Sequence, residues 1–472
     1  MASPNISFET IPSSIRVPGR YIEFNTKLAV RTLPANPQKV LLIAQQLPTA
    51  TIEPLTPVQV FSDDEAANLF GAGSWAHLLT RQAIRNNQYM DFSVIGVKDD
   101  EAGIQAVGDL TISGAAGSSG QVIVNVGVED YRVSVTSKEA TASIMDRLVE
   151  VLNGDPDSPV IAAKADNKIT LTAKHAGEIG NEITISIRTT SRDLIVSSNP
   201  MANGEGNPNI VKALAEVAGK HYHIIISPFS DDPNLQSLSE HIENVSNAIE
   251  KRGAIGVAAW KGSLSTGTTQ AAKLNDGRLT MAWYRNAAVT NGIIAAGYGA
   301  VIAFEEDPAR PLNTLEIKGL GITTENDWPM FTEQNNALYN GLTPLTIVNN
   351  RVQILRAIST YTKNATGTDD PALLDITTIR TLDYVRTAVD QRIALRFPRE
   401  KLSNKTPPKV RSEILDVLYK MEELEILEEV AANQKLLIVE RDLQDPNRLN
   451  TAIPANVVNG LHVFAARIDL YL

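Results

Sequence analysis

Residues 254–284, AIGVAAWKGSLSTGTTQAAKLNDGRLTMAWY, read as a buried strand (AIGVAAW), a helix over 267–275 and a second strand (LTMAWY). The same alternation runs outward in both directions. Before it come a helix over 209–219, the strand HIIISP and a helix over 235–252; after it comes a helix over 288–304. Continuous apolar strands alternating with helices are the pattern of a mostly parallel sheet covered by helices, so residues 206–360 are expected to form the main part of an α/β core. Nearer the amino terminus, KVLLIA (39–44) and FSVIGV (92–97) read as further strands. A helical stretch over 63–86 separates them, placing the first part of the core at 26–100.

Between these two parts the texture changes. QVIVNVGVEDYRVSV and NKITLTAKHAGEIGNEITISIRT alternate apolar and polar residues, broken by GAAGSSG at 114–120, and a single helix is expected near 138–153. Residues 101–205 therefore read as a β-rich domain inserted into the core, ending at the loop-forming MANGEGNPN. After Thr360, long amphipathic helices over 371–396 and 411–431, with a strand at KLLIVE (435–440), mark a carboxyl-terminal α+β domain at 361–460.

The two ends are extended and apolar. Ile6, Phe8, Ile11, Ile15, Val17, Ile22 and Phe24 recur through a segment interrupted by Pro4, Pro12 and Pro18, which forbid a helix there and give an extended arm over 1–25. Residues 457–472 read as a strand with Phe464, Ala466, Ile468, Leu470 and Leu472 on one face, and 461–472 as a strand arm. Such a face needs a partner strand, either from the chain's own domain or from a neighbouring copy.

Composition narrows the function classes. The 472 residues include no cysteine, which excludes disulfides, thiolate nucleophiles and cysteine-ligated metals. A formal charge of −11 argues against a broad basic face for nucleic acid. No window has the length and apolarity of a membrane span, and residues 1–25 lack signal-peptide features, so cytoplasmic synthesis is the expectation.

Catalytic constellations are weak. HYHIIISPFSDD places His221, His223, Ser227, Asp231 and Asp232 together, but on a strand His223 and Ser227 lie roughly 13 Å apart, beyond nucleophile–base reach. GAAGSSG lacks the Lys-Ser/Thr of a phosphate loop, and GYG at 297–299 is read as a flexible turn. Glu305, Glu306 and Asp307 read as a solvated acidic loop. No metal, cofactor or catalytic residue is expected, although an α/β hydrolase using Ser227 remains an alternative of another class.

Charge is segregated near the end. Arg392, Arg396, Arg399, Lys401, Lys405, Lys409 and Arg411 face a single acid, Glu400; then Glu413, Asp416, Glu422, Glu423, Glu425, Glu428 and Glu429 face Lys420 alone. Such blocks either meet head to tail between copies, or are solvated faces, or pair within the subunit.

ISFETIPSSIRVPGRYIEFN at the start, then KVLLIAQQ and LTPVQVFSDDEAANLFGAGS, and IPANVVNGLHVFAARIDLYL at the end resemble the contractile tail sheath proteins of Mu-type bacteriophages over the whole chain. The resemblance implies a non-catalytic α/β core of subtilisin-like shape with an outward-facing inserted domain. The implied subunit polymerises as stacked hexameric rings around a tail tube and contracts to drive the tube through the host envelope. Its implied partners are other copies of itself, the tube protein, and the baseplate and tail terminator proteins, with no nucleic acid or membrane. The implied location is the virion tail, after assembly in the host cytoplasm. Ile6, Phe8, Ile22 and Phe24, and Phe464, Ile468, Leu470 and Leu472, would be the exchanged arms, received by a sheet within 361–460. Arg392, Arg396, Arg399, Lys401, Glu422, Glu425 and Glu429 would carry charge contacts between subunits or to the tube. A bacteriocin or cellular injection machine uses the same architecture and is the alternative reading.

Overall fold

The computed structural model describes residues 16–22 and 33–471. The expected arm residues Ile6, Phe8, Phe24 and Leu472 lie outside the described residues.

The core begins with β1 (Lys39–Gln45), β2 (Pro57–Gln59), α1 (Asp63–Phe70), α2 (Trp75–Asn86) and β3 (Asp91–Val97). The single helix expected over 63–86 is two, because the apolar periodicity continues across a break that it does not report. Gly71 and Gly73 there take positive φ, and a Cβ on Gly71 would stand 2.7 Å from Thr49 Oγ1. Ser62 and Ser74 cap the two helices with their hydroxyls.

The chain then leaves the core. Strands β4 (Gln105–Gly114), β5 (Gly120–Val126) and β6 (Glu129–Val135), helix α3 (Thr141–Gly154), and strands β7 (Val160–Ala165), β8 (Lys168–Ala176), β9 (Ile185–Thr189) and β10 (Leu194–Ala202) follow. They form two antiparallel sheets, ordered β10-β4-β8-β7 and β6-β5-β9. Entry and exit are paired to each other: Ile104 donates to Glu205 O at 2.8 Å and Glu205 donates back at 3.1 Å.

The core resumes with α4 (Val211–Val217), β11 (Ile224–Ile226), α5 (Asp232–Ser246), β12 (Ile255–Trp260), α6 (Leu264–Leu274), β13 (Leu279–Trp283), α7 (Asn291–Phe304), α8 (Phe331–Tyr339), β14 (Thr343–Val348) and β15 (Arg351–Ile354). Its eight strands run β15-β14-β13-β12-β11-β1-β3-β2, parallel except at the two edges. The chain winds from β1 to β3 on one side and from β11 to β14 on the other, so the sheet is doubly wound about β1 and β11. Five consecutive residues of β1, Val40 to Ala44, are fully buried, as a strand covered on both faces requires.

Helix α7 is apolar almost all round and is buried along nearly its whole length. The turn expected at Gly297-Tyr298-Gly299 is instead the interior of this helix. A Cβ on Gly299 would lie 2.7 Å from Ile226, so the missing side chain lets α7 approach β11, while Tyr298 buries its ring and shares a 2.9 Å hydrogen bond with Thr280.

The last described elements are α9 (Ile376–Arg396), α10 (Thr406–Glu423), α11 (Val430–Asn433), β16 (Ile438–Arg441) and β17 (Leu449–Ala452). Tyr384, Val385, Ala388 and Val389 of α9 pack with Val410, Ile414, Val417, Leu418 and Met421 of α10 in a separate apolar cluster. The helix expected over 411–431 ends early because Glu425 takes a left-handed conformation. Asp383 of α9 ties this region to the core, accepting from Arg278 at 2.6 and 2.9 Å.

Polar joints fasten the β-rich region to the core. Asp99 accepts from Gln45, from Ala176 N and from His175, whose other ring nitrogen faces Trp75 N. Glu182 grips the start of α7, accepting from Asn291 N at 2.6 Å and Asn291 Nδ2 at 2.8 Å. Burial pushes the Glu182 carboxyl up to about 7, against the pull of the Asn291 donors and Lys261. Between pH 4.5 and 7 the folded chain thus holds more protons on Glu182 than the unfolded chain, so stability falls as pH rises through that window and levels off above it. The expected loss, discounted for partial exposure, is about 1–2 kcal/mol. Glu182→Gln should flatten that part of a pH series of denaturant midpoints; an unchanged slope would exclude Glu182 as its source.

Candidate assembly surfaces

The carboxyl-terminal region offers strand edges. β16 and β17 pair antiparallel from Ile438 with Ala452 to Arg441 with Leu449, and this sheet has two strands among the described residues. Each strand therefore has one open edge, and a two-stranded ribbon alone is marginal in water. Arg411 of α10 holds its start, donating to Gln434 O at 2.6 Å and Leu437 O at 3.1 Å. A groove of about 300 Å³ flanks β17, lined by Ile393, Phe397, Leu402, Val410, Leu449 and Ile453 among others.

The segment beyond β17 is anchored only at its root. Leu427 and Val457 form a bridge, Glu428 N donates to Asn456 O, and Val458 N donates to Ile426 O at 3.3 Å. His462 Nδ1 lies 3.0 Å from Asn313 Nδ2. Beyond that point the chain forms no strand with the described residues: Phe464 is 84%, Ile468 96% and Leu470 83% exposed. The strand expected over 457–472 is thus absent from residues 458–471 of the single subunit, where no pairing with another described strand forms. Ile22, 83% exposed, is likewise outside any strand.

The charge blocks divide. Arg392, buried on α9, places Nη1 2.6 Å from Asp416 and 3.2 Å from Glu413 of α10, and Arg396 pairs with Glu413 at 3.3 Å. Although burial works against it, the Asp416 carboxyl is held below its ordinary range by Arg392 and Lys420. For Arg392 and Arg396 the partners are within the subunit. Glu422 accepts from Val430 N at 2.8 Å and Glu429 from Asn456 Nδ2 at 3.2 Å. Arg399, Lys401 and Glu425 are exposed. Periodicity did not reveal the cross-helix pairs, since it says which face a residue takes and not what stands opposite.

The histidines and Ser227 do not converge. His223 precedes β11 and Ser227 follows it, so they stand at opposite ends of the strand. Ser227 Oγ bonds the main chain of Phe229, Asp231 caps α5, and Asp232 pairs with Lys273. Among the described residues no helix is long and apolar enough to cross a membrane, and no group of three or more His, Cys, Asp or Glu is placed to hold a metal ion.

Comparison with known proteins places these features. Residues 203–360 match the phage tail sheath protein central domain and residues 368–470 the phage tail sheath C-terminal domain. The chain is 31% identical to the Mu-like prophage FluMu tail sheath protein of Haemophilus influenzae, covering 99% of this chain and 100% of that one. Among solved structures, a sheath tail protein of Listeria innocua superposes with a TM-score of 0.52 at 13% identity, over 92% of this chain and 95% of that one. One from Desulfitobacterium hafniense gives 0.51 at 14%, over 90% and 94%. The helical sheath of the anti-feeding prophage in its contracted state gives 0.50 at 11%, over 96% and 99%. These structural likenesses show a shared fold.

Proposed function

This chain belongs to the phage tail sheath family and is a structural subunit of a contractile tail sheath, and from that premise we propose how it assembles. Subunits stack as hexameric rings around a tail tube, joined to a baseplate and closed by a terminator, and are assembled in the host cytoplasm before becoming part of the virion tail. Contraction drives the tube through the host envelope. The observation that carries this reading is the pairing of an open-edged two-stranded sheet with an unpaired apolar segment on the same chain. Phe464, Ile468, Leu470 and Leu472 of one copy add a strand to β16–β17 of another, and the amino-terminal Ile6, Phe8, Ile22 and Phe24 add a second.

Exposed Arg399, Lys401, Glu425 and Glu429 supply the contacts between copies or to the tube that exchange during contraction, while Arg392, Arg396 and Glu422 hold the domain that presents them. Main-chain strand links persist while polar contacts change partners, so energy stored at assembly suffices for contraction without a nucleotide. The doubly wound sheet supports a core of subtilisin-like shape, and the separation of His223 from Ser227 supports a core without hydrolase activity.

Negative-stain electron microscopy of the purified chain across protein and salt concentration should show hollow striated tubes. Uniform small particles in every condition, with tube and baseplate components also supplied, would overturn the assembly.

A further inference from the structure

We propose that His462 is the positioning residue of the donated arm: held against Asn313 and Asp375, it fixes where the free length of the arm begins and the direction in which it leaves the subunit. The inference rests on the strand-exchange reading above. Leu461, Val463 and Phe464 are each more than three-quarters exposed, yet the His462 side chain among them is 14% exposed. One side chain of an otherwise outward-facing segment is thus turned into the subunit.

Three pieces of chain meet at that ring. Asn313 donates from Nδ2 to His462 Nδ1 at 3.0 Å. The loop that carries it is tied to β15 through the next residue, since Thr314 N donates to Ile354 O at 2.8 Å. An amide nitrogen can only donate, so Nδ1 is the acceptor and the ring proton sits on Nε2. Nε2 faces Asp375 Oδ1 at 3.5 Å, at the residue that precedes α9. Both carboxylate oxygens of Asp375 are in turn fixed by Arg356, at 2.8 and 2.7 Å. Burial, and then the Arg356 charge, hold the imidazole below its ordinary value, so at pH 7 it is neutral and able to accept. Gly460 permits the close approach: a Cβ there would stand 2.6 Å from Pro311 Cγ and 2.8 Å from His462 Nε2. The arm is therefore tied to the core and to the start of α9 at once. Residues 463–472 remain free beyond the clasp and reach roughly 33 Å when extended; without it the free length would start at residue 459 and reach roughly 46 Å. A shorter arm with a set exit samples fewer positions, which raises its effective concentration at the acceptor sheet.

The chain has no cysteine, so nitroxide labels can be placed by Val463→Cys and by Ala394→Cys at an exposed position of α9. Pulsed electron paramagnetic resonance of the unassembled chain should give a narrow distribution of label distances. His462→Ala, Asn313→Ala and Gly460→Ala should each broaden it, because a flexible chain freed after Val458 lets position 463 range over about 12 Å. His462→Asn, which keeps an acceptor in the place of Nδ1, should restore most of the order. A distribution as narrow in the three variants as in the parent overturns the clasp, and an equal loss of order in His462→Asn and His462→Ala overturns the Asn313 bond as its basis. In the unlabelled proteins, His462→Ala and Gly460→Ala should raise the protein concentration needed for tubes at least about fivefold, the size of one lost hydrogen bond, with His462→Asn close to the parent. Tubes at the parent's concentration in both, when a chain lacking residues 463–472 forms none, would overturn the positioning role and leave strand exchange standing. Tubes from that shortened chain would overturn strand exchange itself.

Discussion

A chain lacking residues 463–472, cut after the His462 that lies against Asn313 and Asp375, is expected to fold with an unchanged melting temperature, within about a degree, and to form no tubes under any condition in which the full chain does. The two halves of that expectation rest on the same observation. Phe464, Ile468 and Leu470 are more than four-fifths exposed in the single subunit, so deleting them removes almost no intramolecular contact. In the assembled state the same side chains would each contribute about 1.5–3 kcal/mol on burial, with several main-chain hydrogen bonds of about 1 kcal/mol apiece. Loss on that scale at every link of a lattice abolishes polymerisation rather than weakening it. Circular dichroism and thermal melting test the first half, and electron microscopy the second. Striated tubes from the truncated chain would sink strand exchange by this segment. Ile468→Asp, which keeps the chain length, should reproduce the defect because it places a charge on the donated face.

The second large effect is on stability. Arg392→Ala should lower the unfolding free energy by about 1–3 kcal/mol, since it removes the buried cation that Glu413 and Asp416 of α10 share across the α9–α10 seam and leaves them only Arg396 and Lys420. Arg392→Met, which refills the volume of the side chain stem, should recover part of that loss. Urea denaturation of the three proteins in the unassembled state measures both. A loss under about 0.5 kcal/mol in the alanine variant would show that the pair is not a stabilising clasp, and would return Arg392 to the pool of residues available for a neighbour.

What could be read directly from the residues follows from how strongly each feature is dictated by burial. β1, β3, β11, β12 and β13 are covered on both faces and therefore carry mostly apolar runs, which made the α/β core legible. The edge strands β2 and β15 have only three and four residues, too short to impose a pattern even where Val352 and Ile354 of β15 are buried, so they left no trace. The break between α1 and α2 was hidden because residues on both sides keep the same apolar face, and only the backbone of Gly71 and Gly73 departs from it. Gly297-Tyr298-Gly299 misled in the opposite sense, since glycine marks close approach in a buried helix as readily as it marks a turn. At the carboxyl end the apolar alternation of the last residues was plain, but a strand is defined by its partner, and among the described residues of the single subunit there is none. The pairing of Arg392 with Asp416 joins positions 24 residues apart on two helices, a relation that no local pattern encodes.

The mutual hydrogen bonds of Ile104 and Glu205 close the β-rich region at its neck, so its first and last residues sit side by side as in a hairpin. Geometrically, the hundred residues between them occupy the place of a single turn between β3 and α4. Lengthening, shortening or exchanging that insert need not alter the path of the central sheet, provided that the incoming surface covers the apolar residues shared with the core and gives Gln45, Arg81, Lys261 and Asn291 new partners. The surface that this region presents can therefore diversify, or be engineered to carry a foreign domain, while the central sheet that bears it stays the same.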